Sequence, residues 1–138
     1  MEKLLLLPVF AQVLLTSVVM IFMGRRRINA AKNREINLSA FRTMDLTGAN
    51  EQVIATSRNF DNQFQMPMLY LFSVLFSLQL GLADVTFLVM GVVFVALRYW
   101  HTVIHIGSNN VRLRFRVFLL GCLVLWLIWI RILVLALL

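Results

Sequence analysis

LLLLPVFAQVLLTSVVMIFMGRRR, residues 4–27, decides the fold. Its first part carries no charge until three consecutive arginines, Arg25, Arg26 and Arg27, close it. An apolar run of about 20 residues is what a helix needs to cross the hydrocarbon core of a bilayer. It exceeds the roughly 7–15 residues of a signal-peptide core and lacks a small-x-small cleavage site, so it is expected to stay attached. Working outward, three further apolar segments follow at about 66–83, 85–105 and 117–138. The runs are continuous, not alternating, which excludes a β-barrel. With 61% hydrophobic and 14% charged residues and a mean hydropathy of +0.86, the chain is expected to be all-α. The reading is an integral membrane four-helix bundle, one domain over residues 1–138.

The basic residues give an orientation. Seven of the 13 Lys and Arg (Arg25, Arg26, Arg27, Lys32, Arg34, Arg42 and Arg58) lie between the first and second apolar segments. Arg98, Arg112, Arg114 and Arg116 lie at or beyond the end of the third, on the same side of a four-span protein. Lys3, Asp84 and Arg131 fall on the other side. The positive-inside rule then places loop 24–57 in the cytoplasm and both termini outside. The net charge of +7 is an orientation signal. No nucleic-acid module accompanies it, so no nucleic-acid partner is expected.

Loop 24–57 is long for a small bundle, and such connections tend to be functional or disordered. Thr47 and Asn50 are candidate helix caps, with Glu51 in the favourable first turn. A helix starting there and running to about residue 83 would be roughly 50 Å long, more than the bilayer core. Pro67 is expected to kink it and to free a backbone carbonyl near Gln63.

Two polar constellations interrupt this apolar chain. Arg58, Asn62 and Gln65 follow i, i+4, i+7 spacing on one helix face. Arg98, His101 and His105 share a face of the third segment by i, i+3, i+7 spacing. Charged groups at bilayer depth cost about 2.5 kcal/mol or more and tend to face a bundle interior or a wet cavity. The alternatives are a polar helix–helix interface for the first set and snorkelling toward the headgroups for Arg98. His101 and His105 have the i, i+4 spacing of metal ligands, yet no Cys or Glu accompanies these two histidines, so no metal site is expected. Cys122, the single cysteine, permits no intrachain disulfide and reads as a small buried hydrophobe. There is no glycine-rich phosphate loop, no nucleophilic-serine elbow and no HExxH.

At these positions the chain resembles the MAPEG family, membrane-associated proteins in eicosanoid and glutathione metabolism. The likeness lies in Arg58-x-x-x-Asn62-x-x-Gln65-x-Pro67, then Arg98-x-x-His101-x-x-x-His105, then Arg114. The stretches 62–67 and 109–111 are most similar to its little-characterised bacterial branch, which implies a bacterial inner membrane. The resemblance implies a homotrimer with cytoplasmic-side sites at subunit interfaces, binding glutathione as co-substrate and a lipophilic small molecule from the bilayer. By position, Arg58, Asn62, Gln65, Arg98, His101 and His105 would bind glutathione, and Arg114 would be the catalytic arginine that stabilises its thiolate. One of Arg25, Arg26 and Arg27 would also reach the site. Two carboxylates and an ammonium on glutathione suit arginine forks and amides. The implied activity is that of a glutathione transferase or peroxidase acting on lipophilic electrophiles. Three positions depart from the family pattern: Gln65 stands where glutamate is usual, His105 where tyrosine is common, and Phe115 where one branch has serine. The alternative is a non-enzymatic membrane bundle that binds a ligand or stabilises a partner on the same scaffold. A transporter is disfavoured by the lack of an internal repeat.

Overall fold

A computed structural model describes residues 2–138; Met1, one of the two termini expected outside, lies beyond the described residues. Helices α1 (Glu2–Lys32), α2 (Glu51–Asn62), α3 (Met66–Gln79), α4 (Val85–Ile106) and α5 (Val111–Leu137) form the bundle, with a short 3-10 turn at Leu38–Arg42. No strand occurs among the described residues.

The starts of three helices follow from Asx side chains. Asn50 accepts from the Val53 N–H at 3.0 Å, Asp84 from Phe87 at 2.9 Å and Asn110 from Leu113 at 3.1 Å. Each satisfies one of the N–H groups that a helix start leaves without a partner. Of the two candidate caps, Asn50 serves. Thr47 instead closes a turn with Asp45, donating to Oδ1 from both its backbone N–H and its hydroxyl, and these two bonds hold the Asp45 carboxyl below its usual range. Helix α3 ends on Gly81, whose φ of +67° lets the Leu82 N–H reach the Ser77 carbonyl at 2.8 Å, a left-handed close that glycine adopts without strain.

Two sequence expectations change. The three arginines do not end the first helix: α1 continues to Lys32, because arginine is a good helix former and this last stretch packs on α2. The second helix is broken, not kinked. Residues 63–65 form a turn between α2 and α3, and Pro67 lies in the first turn of α3, where its missing N–H costs nothing. The carbonyl of Asn62, rather than that of Gln63, is the one taken up from afar, by Arg98 Nη2 at 3.1 Å.

The main core joins α1, α3, α4 and α5 through Leu5, Tyr70, Val74, Phe87, Phe94, Leu125 and Ile128. The Tyr70 and Phe94 rings stack at 4.8 Å. Gly91 admits Tyr70: a Cβ there would stand 2.7 Å from the Tyr70 hydroxyl oxygen. A smaller cluster, Ala30, Ile36 and Val53, seats the loop on α1 and α2. Large apolar side chains such as Phe10, Val103 and Trp126 point outward, while Gln12, Asn59, Gln63 and Arg98 are buried. This inversion is that of a protein whose surroundings are lipid. Helices α1, α4 and α5 are long and apolar enough to span a bilayer.

Candidate functional site

One cleft of about 440 Å³ collects most of the polar residues singled out in the sequence. Arg58, Asn62 and Gln65 reach it from α2 and the break after it, His101 and His105 from α4, and Arg114 from α5. Phe115, Phe118 and Val111 make its apolar wall, and Asp61 adds a carboxylate that the sequence reading overlooked. Arg58 also lines two adjoining hollows, one toward Met44 and Thr47 and one toward Glu51 and Asn109.

Arg114 is held before any ligand arrives. Its Nη1 donates to Asn109 Oδ1 at 2.5 Å, and Asn109 Nδ2 donates to Glu51 Oε1 at 2.9 Å. Asn109 has a φ of +48°, a left-handed conformation that asparagine tolerates. The loop between α4 and α5 thus fixes the guanidinium against the first turn of α2.

Arg98 is placed differently from the other six. It does not line the cleft; it lies beneath it, 3% exposed, between Phe94, Gly121 and Cys122, with its fork on the Asn62 carbonyl. Its Nε and the Nδ1 of His101 are buried without a hydrogen-bond partner. The His101 and His105 rings meet edge to face at 5.5 Å, and no third His, Cys, Asp or Glu joins them as a metal-holding group among the described residues.

The arginines of α1 divide. Arg26 donates to the Thr56 hydroxyl, to the Gln52 carbonyl at 3.2 Å and to the Ile106 carbonyl at 3.4 Å. Arg27 grips Ser57 Oγ through Nε at 3.2 Å and Nη2 at 3.0 Å. Arg25 is exposed.

Sequence reasoning also missed a buried polar chain behind the cleft. Gln12 Nε2 donates to Gln63 Oε1 at 3.0 Å, Gln63 Nε2 to Asn59 Oδ1 at 3.2 Å, and Asn59 Nδ2 meets His105 Nδ1 at 3.2 Å. Two signals pointed to it: Gln12 is the only amide in its apolar run, and Asn59 and Gln63 are i, i+4 partners on a second polar face of the same helix.

In chemical terms the cleft offers two guanidinium forks, two amides, one carboxylate and two imidazoles beside an aromatic wall. That donor-rich set fits a small molecule bearing carboxylates and at least one cation. A model of the MAPEG family matches residues 5–134 of the chain. No curated protein and no solved structure gives a match.

Proposed function

The chain belongs to the MAPEG family, an integral membrane family of glutathione and eicosanoid metabolism, and from that premise we propose that it binds glutathione in the cleft between α2, α4 and α5 and joins it through its sulfur to a lipophilic electrophile. The observation that carries the reading is Arg114, fixed by Asn109 at the polar mouth of the cleft and facing the space shared with Arg58. Arg58, Asn62 and Gln65 bind the carboxylates and peptide groups. Asp61 meets the ammonium, supplying the anion that Gln65 lacks. His101 and His105 complete the far wall, and Arg98 acts from below by holding the Asn62 carbonyl. A guanidinium in contact lowers an acid's pKa by about 1–3 units. Beside Arg114 the thiol therefore loses its proton to solvent, and the thiolate sulfur bonds to the electrophile as the leaving group departs, or it attacks the terminal oxygen of a lipid hydroperoxide. That attack breaks the O–O bond and releases the lipid alcohol, which takes a proton from solvent. It leaves a sulfenic acid, with which a second glutathione condenses to give the disulfide and water. Phe115 and Phe118 line the cleft's apolar side, toward the lipid from which the electrophile enters.

The proposed assembly is a homotrimer, in which a neighbouring subunit closes the open flank of each cleft and Arg25 is the α1 arginine free to reach it. Native mass spectrometry in mild detergent checks this. The site is proposed to lie on the cytoplasmic side of a bacterial inner membrane. Calorimetry and ultraviolet absorbance of the bound thiolate test the central reading. Arg114→Ala should abolish the thiolate signal and leave glutathione affinity measurable. Arg58→Ala should weaken affinity by about 1.5–3 kcal/mol, the range for a hydrogen bond to a charged group. A wild-type protein that binds no glutathione at millimolar concentration refutes the proposal and leaves a non-enzymatic membrane bundle as the better account.

A further inference from the structure

The end of α2 leaves backbone carbonyls in need of donors, and one of them orients a whole chain of side chains. The Gln63 N–H turns back to the Phe60 carbonyl at 3.0 Å, so the Asn59 carbonyl receives the Gln63 side chain instead, at 3.3 Å. A carbonyl only accepts, so the end of Gln63 that meets it is the amide nitrogen. The two hydrogens of that nitrogen serve three acceptors, one shared between the Asn59 carbonyl and Asn59 Oδ1 and the other given to Thr102 Oγ1 at 3.3 Å. Gln63 Oε1 therefore faces Gln12 and accepts from its Nε2. Asn59, with its oxygen committed to Gln63, turns Nδ2 to His105 Nδ1.

Reversing every amide would give the unpartnered Gln12 Oε1 a chance of a donor, but it would set Gln63 Oε1 against the Asn59 carbonyl, oxygen against oxygen. Gln12, Asn59, Gln63, Thr102 and His105 are each at most 3% exposed, so no water screens that repulsion. A ring nitrogen that accepts carries no hydrogen, and in a neutral imidazole the hydrogen then sits on Nε2.

We propose that Gln12, Gln63 and Asn59 are positioning residues that fix His105 as the Nε2–H tautomer, so that its ring presents to the cleft a hydrogen-bond donor and not an acceptor. None of the three lines the cleft; they act through His105. The ligand atom so selected is a carboxylate or carbonyl oxygen or a thiolate sulfur, and only the naming of that ligand as glutathione rests on the function proposed above.

Nitrogen NMR of the full-length protein, labelled with ¹⁵N-histidine in nanodiscs at neutral pH and without ligand, tests this. His105→Gln assigns the signals, since the chain has two histidines. Wild-type His105 should show a pyrrole-type Nε2 and a pyridine-type Nδ1. In Asn59→Asp the carboxylate can only accept, and the pattern should invert. In Gln63→Leu the freed Asn59 amide should let the two ring signals average. A wild-type hydrogen on Nδ1, or signals unchanged in both variants, overturns the proposal. If Asn59→Asp does not fold, the wild-type spectrum and Gln63→Leu decide. Adding glutathione should shift the Nε2 signal; the expected tautomer without that shift supports the proposal and overturns the glutathione reading alone.

Discussion

Substituting Gln12 and Gln63, two buried glutamines bonded to each other, should have very different consequences for stability. Gln12→Met removes one donor, leaving Gln63 Oε1 without its partner, but it also removes Gln12 Oε1, which is already buried and unsatisfied. One orphan is exchanged for another. A net hydrogen bond is worth about 0.5–1.5 kcal/mol and an unsatisfied buried group costs about 1–3, so the two terms should cancel to within ~1 kcal/mol. Gln63→Met instead strips the donor from the Asn59 carbonyl, Asn59 Oδ1 and Thr102 Oγ1, while Gln12 Nε2 keeps Thr16 Oγ1. At the low end of that scale, three such losses amount to ~3 kcal/mol. For a chain of this size that corresponds to a midpoint lowered by roughly 6–12 °C. Both methionines preserve volume, so cavity formation does not confuse the comparison. The assay is thermal denaturation in one detergent, followed by the fluorescence of Trp100, Trp126 and Trp129. Equal losses in the two variants, or a Gln12→Met protein as weak as Gln63→Met, would refute the accounting and with it the assigned direction of the amide chain.

At the opposite end of the bundle, Asp84 is held below the usual carboxylate range first by the Phe87 N–H and then by Arg131, whose Nη2 lies 2.6 Å away. A lowered carboxyl adds stability that is complete above its unfolded pKa of about 3.9 and is lost as pH falls through the lower folded value. Asp84 is 45% exposed, so the term should stay under ~1 kcal/mol; the gap between wild-type and Asp84→Asn midpoints at pH 6 should narrow as pH falls below about 4 and close once the folded carboxyl is protonated. Gly91→Ala should destabilise by about 1–3 kcal/mol through overpacking, and because the crowded atom is the Tyr70 hydroxyl, Tyr70→Phe should recover part of the loss in a double-mutant cycle. A cysteine at Gly48 in a Cys122→Ala background should resist an impermeant thiol reagent on intact cells and react after lysis, as a cytoplasmic loop requires.

The elements that sequence made legible are those governed by local rules. Asn50 marks a helix start by its own side chain, as Asp84 and Asn110, not singled out as caps in the sequence, also do. Spacing placed Arg58, Asn62 and Gln65 on one helix face and His101 and His105 on another, while the family resemblance joined these faces and Arg114 into one site. What escaped depended on partners far along the chain. Arg98 has the face to line a cleft, but the break in the second helix offers it a carbonyl, and it goes there. Arg26 and Arg27 read as the end of a span because their acceptors, Thr56 and Ser57, lie 30 residues away. Asn59 and Gln63 stand beside Arg58 and Asn62 in sequence, and only the position of α1 shows which of the two polar faces is buried.

The break at residues 63–65 also bears on the bilayer itself. With 14 residues, α3 rises about 21 Å, against a hydrocarbon thickness of ~30 Å. Helix α1, with 31 residues, rises about 46 Å. Lipid packed against α3 would have to thin, and mismatch costs fractions of a kcal/mol for every ångström. Yet α3 carries an outward apolar face of Leu69, Phe72, Leu75 and Phe76. That face is less costly against protein than against lipid, whereas the apolar stretches of α1 and α5, residues 4–23 and 117–138, match the acyl chains unaided. Helix length alone therefore ranks the surfaces for the trimer proposed above: α3, the shortest of the four apolar helices, should turn toward its centre, and the longest should stay on its rim.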